Sequence, residues 1–183
     1  GQRIRELGPQ GHVVKAGTPT MGGGVVLSVW ALGALSLTAV TGWTSLVGFV
    51  FAAAGLHGAI GLADDLQSLR RRRSLGLTVG RKLLLGTAAA VVLSLLFPDV
   101  LSVPQRIPFS SLTVTLPPIA AAVLVWITML ATTNSLNLAD GLDGLAGGLA
   151  GLILVGLLVL APTDPTLVLV TPLLGALIGF LWI

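Results

Sequence analysis

Residues 45–65 read Ser45-Leu-Val-Gly-Phe-Val-Phe-Ala-Ala-Ala-Gly-Leu-His57-Gly-Ala-Ile-Gly-Leu-Ala-Asp64-Asp65. An uninterrupted apolar run ends abruptly on two adjacent carboxylates. The hydrocarbon core of a bilayer takes about 20 such residues as one helix. The run therefore predicts a transmembrane helix whose end carries charge. Five further stretches have the same character, so the spans are expected near 21–41, 45–63, 81–97, 117–134, 144–161 and 166–183, the third and fifth being short. The fold class that follows is an all-α polytopic membrane protein, one membrane domain over residues 1–183.

Composition agrees. Of the 183 residues, 54% are hydrophobic and 9% charged, the mean hydropathy is +0.99, and there is no cysteine. A soluble domain carries about 25% charged residues. Disorder is excluded by the shortage of polar residues, and a disulfide scaffold by the lack of Cys. The net charge of +3 does not indicate a nucleic-acid partner, because its placement follows the bilayer instead. Arg3, Arg5 and Lys15 precede the first span, and Arg70–Arg73, Arg81 and Lys82 lie between the second and third. Only Arg106 falls in a loop of opposite parity. By the positive-inside rule, residues 1–20 and the loop 64–81 are cytoplasmic. Segment 98–116 is then extracytoplasmic. Its three prolines and the alternation Leu112-Thr-Val-Thr-Leu116 predict a small hairpin, and Pro162-Thr-Asp-Pro165 a tight turn. The chain begins at Gly1 without a leader-like segment and stops at Ile183 within an apolar run, so it reads as a fragment cut at both ends.

Seven acidic residues are few enough to weigh singly. Glu6, Asp99 and Asp164 fall in the tail or outer loops, where water solvates them. Asp64, Asp65, Asp140 and Asp143 all map to cytoplasmic ends of spans, and acids at membrane depth are costly and usually functional. Adjacent helical residues diverge by about 100°, so Asp64 and Asp65 cannot aim equally at one ligand. One can hold a metal while the other takes a proton or braces a neighbour; two solvated acids beside an arginine run is the bland alternative. In Asn134-Ser-Leu-Asn137-Leu-Ala-Asp140-Gly-Leu-Asp143-Gly144, Asn134, Asn137 and Asp140 recur every third residue as a polar stripe. Gly141 and Gly144 break the helix near Asp140, and Asp143 is placed to cap the next one. Segment 134–144 is thus expected to be a loop at the cytoplasmic face. A fresh helix N-terminus favours phosphate. Carboxylates meet phosphate only through a divalent cation, and Mg2+ takes such oxygen ligands. His12 and His57 are too few and too far apart for zinc, and His57, mid-span, is expected to be a hydrogen-bonded core histidine. Thr18-Pro19 reads as the start of the first span. Lys15 just before it either meets phosphate or anchors the helix at the headgroups, Lys82 is open to the same two readings, and Arg70–Arg73 reads as an orientation signal on anionic lipid.

Three segments together resemble a known family. Gly8-Pro9-x-x-His12-x-x-Lys15-x-Gly17-Thr-Pro-Thr20-Met-Gly-Gly23, the Asp64-Asp65 pair with Gly76-Leu77 and Lys82, and Asn134-x-x-Asn137-Leu-x-Asp140-Gly-Leu-Asp143-Gly are similar to successive signatures of phospho-N-acetylmuramoyl-pentapeptide transferases. Gly175-x-x-x-Gly179-Phe-Leu-Trp182 resembles the helix leading to the next signature. The second and third motifs are shared by the wider superfamily of polyprenyl-phosphate hexosamine-1-phosphate transferases, and the first favours the muramoyl-pentapeptide branch.

The resemblance implies transfer of phospho-MurNAc-pentapeptide from UDP-MurNAc-pentapeptide to undecaprenyl phosphate, giving lipid I and UMP at the cytoplasmic face of a bacterial inner membrane, with Mg2+. It implies Asp140 as metal ligand with Asn137 beside it, Asp64 and Asp65 in catalysis, Lys15 and Lys82 toward phosphate, and Asp143 in support. Asn134, His12 and Thr20 belong to the same motifs. Covalent and direct attack both stay open. Ser68 stands where the family commonly has a basic residue, and Ala139 where Thr is frequent. The family's first helix, its next Asp-bearing loop and a histidine-rich loop have no counterpart in this chain. Competing readings are a GlcNAc-1-phosphate-type transferase, an inactive truncated membrane protein, and an ion-coupled transporter, which would want acids near the midplane and internal repeats. The oligomeric state stays open, a homodimer included.

Overall fold

The computed structural model describes residues 22–71, 76–107, 110–139, 144–161, 164 and 166–182. Apolar stretches in a bilayer must satisfy their own backbone groups, and helices do so within one segment. The chain accordingly forms α1 (Gly22–Thr41), α2 (Ser45–Arg71), α3 (Val79–Leu96), the single turn α4 (Pro98–Leu101), β1 (Gln105–Arg106), β2 (Thr113–Val114), α5 (Pro118–Ala139), α6 (Leu145–Leu160) and α7 (Leu167–Trp182). The helices α1, α2, α3 and α5 are long and apolar enough to cross a membrane, whereas α6 and α7 are apolar but have 16 residues each.

The expected spans all appear as helices, and two of them, α2 and α5, run further than expected. The helix α2 does not stop at the carboxylate pair but continues to Arg71. Leu66, Gln67, Leu69 and Arg70 are good helix formers, so the helix outlasts its apolar part. The expected loop 64–81 is therefore helical from its start through Arg71 and again from Val79. Likewise Asn134 and Asn137 lie in the last turns of α5, not in a loop. The hairpin forms as an antiparallel pair, with Gln105 opposite Val114 and Arg106 opposite Thr113. Only Thr113 and Val114 of the alternating Leu112–Leu116 stretch enter the ladder. Pro98 starts the short α4 at its first turn, where a missing N–H costs nothing.

The long helices pack as a ring in the order α1, α2, α3, α5, α6 and α7, with α7 closing most extensively on α1. Lipid is as apolar as Leu, so close packing rather than burial from water holds such helices together. Small residues allow it. Gly33 of α1 lies against Pro172 of α7, Gly58 of α2 against Leu27, and Gly86 of α3 against Leu130 of α5. The tightest cluster joins Trp30, Ala34, Val47, Leu169 and Ala176, with Phe51 against Trp30 at a ring separation of 4.9 Å. The Trp30 indole N–H donates to the Leu169 carbonyl at 2.9 Å, next to the helix-disrupting Pro172. Outward-facing Val40, Ile119, Leu138 and Leu160 are exposed, as a lipid-facing surface requires.

Successive helices reverse direction, and side-chain contacts fix which ends share a level. The α1 start meets the α7 end through Gly22 and Phe180, and the α6 start meets it through Gly144, Gly147 and Leu181. The end of α2 meets the start of α3 through Asp64 and Lys82. One end of the ring thus collects the ends of α2, α5 and α7 and the starts of α1, α3 and α6.

Candidate active site

At that end Asp64 is held from two sides. Its Oδ1 accepts the Leu77 backbone N–H at 2.6 Å, and its Oδ2 pairs with Lys82 Nζ at 2.6 Å. Local sequence produces both contacts. Thr78 caps α3, its Oγ1 accepting the Arg81 N–H at 3.4 Å, which fixes where α3 starts. Lys82 follows one turn later, on the side of α3 that faces α2. Gly76 then lets the backbone come down on Asp64: a Cβ at position 76 would sit 2.8 Å from Asp64 Cγ and nearer still to its Oδ1 and backbone oxygen. The Lys82 and Asp64 side chains are 29% and 25% exposed, so water screens the pair only in part. Asp65, the next residue, points about 100° away around α2 and engages other groups.

The α3–α5 contact carries the site further. Gly86 faces Leu130, and the Trp126 indole N–H donates to Thr87 Oγ1 at 3.0 Å, so the two helices run antiparallel in a fixed register. One turn back from Gly86 is Lys82, and one turn on from Leu130 is Asn134. Lys82 and Asn134 therefore stand at the same level. The Asn134 amide is tied by its Nδ2–H to the Leu130 carbonyl at 2.7 Å, whereas Asn137, nearly a turn on, is exposed.

Asp140, Asp143, Lys15, His12 and Thr20 lie outside the described residues. The described part of α5 reaches Ala139, and the expected break at Asp140–Gly141 lies outside the described residues. The cap of α6 differs from expectation. The N-cap is Gly144, not Asp143; its φ of +76° is a left-handed conformation that glycine adopts without steric cost, and no side chain caps there. His57 also differs. Its Nε2 is buried without a hydrogen-bond partner among the described residues.

Among the described residues no three His, Cys, Asp or Glu side chains gather as a metal cluster. Asp64 accepts one contact on each oxygen, from Leu77 and Lys82, and each oxygen keeps a further lone pair. The donors that fit Mg2+ in kind are oxygens, namely Asn137 in the described part and Asp140 next to it in sequence. The Leu77 N–H is the functional group that side-chain reading missed. A threonine three residues before Arg81 was the available signal for the helix start that places it.

Carboxylates, amides and a lysine thus share one end of an apolar helical ring. Residues 46–183 match glycosyl transferase family 4, and the chain belongs to that family. It is a multi-pass membrane protein. The chain is 41% identical to the phospho-N-acetylmuramoyl-pentapeptide-transferase of Nostoc sp. over 99% of its own length and 49% of that relative. It is 40% identical to the protein of that name in Synechococcus elongatus, covering 50% of it, and 34% identical to the one in Frankia casuarinae, covering 60%. The chain thus spans about half the length of the curated relatives it matches.

Proposed function

We propose that the protein transfers phospho-MurNAc-pentapeptide from its UDP-linked donor to undecaprenyl phosphate, releasing UMP and forming lipid I on the cytoplasmic face of a bacterial inner membrane. The observation that carries this reading is the 41% identity to a phospho-N-acetylmuramoyl-pentapeptide-transferase over 99% of the chain. The gathering of Asp64, Lys82 and Asn134 at one end of the ring supports it. Nine of the ten basic residues fall on that side by the charge rule, which makes it the cytoplasmic side.

Attack of one phosphate on another brings several negative charges together, and a catalyst must screen them and hold the groups in line. Lys82, with Lys15, supplies fixed positive charge toward the phosphates. Asp64 and Asp65 orient or deprotonate the acceptor phosphate. Asp140 and Asn137 hold Mg2+, with Asp143 and Asn134 supporting them and His12 and Thr20 completing the first motif. When bound, Mg2+ supplies charge neutralisation at the donor pyrophosphate.

The test is UMP release and lipid I formation by membranes carrying the protein expressed from its complete reading frame. Turnover is expected to require Mg2+, to be lost on chelation, and to fall by at least about a hundredfold in Asp140→Asn while the protein remains folded. UDP-MurNAc-pentapeptide should outcompete UDP-GlcNAc as donor. Turnover retained in Asp140→Asn removes that residue from the metal site, and preference for UDP-GlcNAc moves the protein to the neighbouring branch.

A further inference from the structure

We infer that Gly76 is a positioning residue: by admitting the Gly76–Leu77 backbone against α2, it holds the Asp64 carboxylate in register with Lys82. The inference deepens the function proposed above and rests on it for the catalytic consequence alone. Three observations meet at this point. The Leu77 N–H reaches Asp64 Oδ1 at 2.6 Å, which takes one of the carboxylate's two oxygens and fixes the plane of the group. The other oxygen then faces Lys82 Nζ, also at 2.6 Å, from the first turn of α3. The space that makes both possible exists only without a side chain at 76, because a Cβ there would strike Asp64 Oδ1, its Cγ and its backbone oxygen.

Two of the three atoms in the way belong to the Asp64 side chain, and the third is its main-chain oxygen. A rotamer change in Asp64 would move Oδ1 and Cγ away but leave the backbone oxygen in place. An alanine at 76 therefore displaces the Gly76–Leu77 segment, and with it the N–H that orients Asp64. Gly80 offers the internal contrast, since a Cβ there meets nothing within 4 Å. Both glycines flank the same helix start, and only one is pressed onto a carboxylate. A displacement of about 1 Å in a group that orients a reactant costs as much as about a hundredfold in rate, which gives the brace its leverage.

The test uses the protein from its complete reading frame in membranes, with two readouts. The first is independent of turnover. The chain has two lysines, Lys15 and Lys82, so reductive methylation followed by mass spectrometry reads Lys82 with Lys15 as reference. Asp64→Asn should raise Lys82 labelling about fivefold, the scale set by loss of a partly solvated ion pair. Gly76→Ala should raise it by a comparable factor, and Gly80→Ala should leave it unchanged. Leu77→Pro removes the N–H without adding an atom at 76 and should match Gly76→Ala, so the result does not hang on how one variant folds. The second readout is kinetic: Gly76→Ala should lower kcat for UMP release at least about tenfold with the KM for the donor unchanged. Parental Lys82 labelling in both Gly76→Ala and Leu77→Pro overturns the inference, as does unchanged labelling in Asp64→Asn. Raised labelling with unaltered kcat overturns it too, since the brace would then serve only the fold. A parent protein that releases no UMP defeats the proposed function instead, and the labelling still decides whether Gly76 positions the pair.

Discussion

At Asp164, in the connection between α6 and α7, the carboxyl is held below the usual carboxylate range by hydrogen bonds from Thr166, first from its side chain and then from its backbone N–H at 2.7 Å. A lowered folded-state pKa contributes stability that is present above the ordinary carboxylate value of about 3.9 and is lost as pH falls through the folded value. The group is almost fully exposed, so solvent screening keeps its worth under about 1 kcal/mol. Asp164→Ala should therefore lower the thermal midpoint slightly near neutral pH, with the difference from the parent fading in acid. Unfolding in detergent at several pH values checks this, and a gap that widens in acid would contradict it. The same scale shows what single residues disclose in the sequence. Asp64 and Lys82 were legible as candidates because charge next to an apolar run is rare. Their partnership was not, because it joins residues 18 positions apart through the start of α3. The Leu77 N–H was less legible still, since every residue but proline has one. His57 failed for the opposite reason: a buried polar atom usually has a partner, and here Nε2 has none among the described residues.

Helices were the most legible elements, since a bilayer leaves an apolar stretch few alternatives. Their ends were less so. Hydropathy marks where α2 leaves the apolar phase, at Asp64, but not that its hydrogen bonding continues as far as Arg71. Packing between helices was not visible at all, and there the glycines divide sharply. Gly33 faces Pro172 across the α1–α7 contact, where a Cβ would come within 2.9 Å of the proline ring, whereas Gly23 and Gly24 face open space. Gly33→Leu should force the two helices apart and cost about 1–3 kcal/mol, the usual range for overpacking. Gly24→Ala should be neutral or stabilise by up to about 1 kcal/mol through helix propensity. Thermal unfolding of both variants in one detergent is the comparison; equal midpoints would mean that the α1–α7 contact does not hold the bundle.

For the molecule as a whole, the ring places the ends that carry Asp64, Lys82 and Asn134 together, and the function proposed above requires that side to face the cytoplasm. The absence of native cysteine makes the assignment easy to check. A single cysteine at exposed Leu69 should react with a membrane-impermeant maleimide only after permeabilisation, and one at exposed Ser111, beside the hairpin, should react from outside. The reverse pattern would invert the topology and move the site to the other face. The 16 residues of α6 also act on the surrounding lipid. At 1.5 Å per residue that helix spans about 24 Å, against a hydrocarbon layer of about 30 Å. Tilting cannot make up the difference for a short helix; thinning of the bilayer, snorkelling of flanking residues or association with another helix does so. The α6–α7 side of the ring, with 16 residues in each helix, is therefore where the surrounding lipid or the flanking chain has most to adjust.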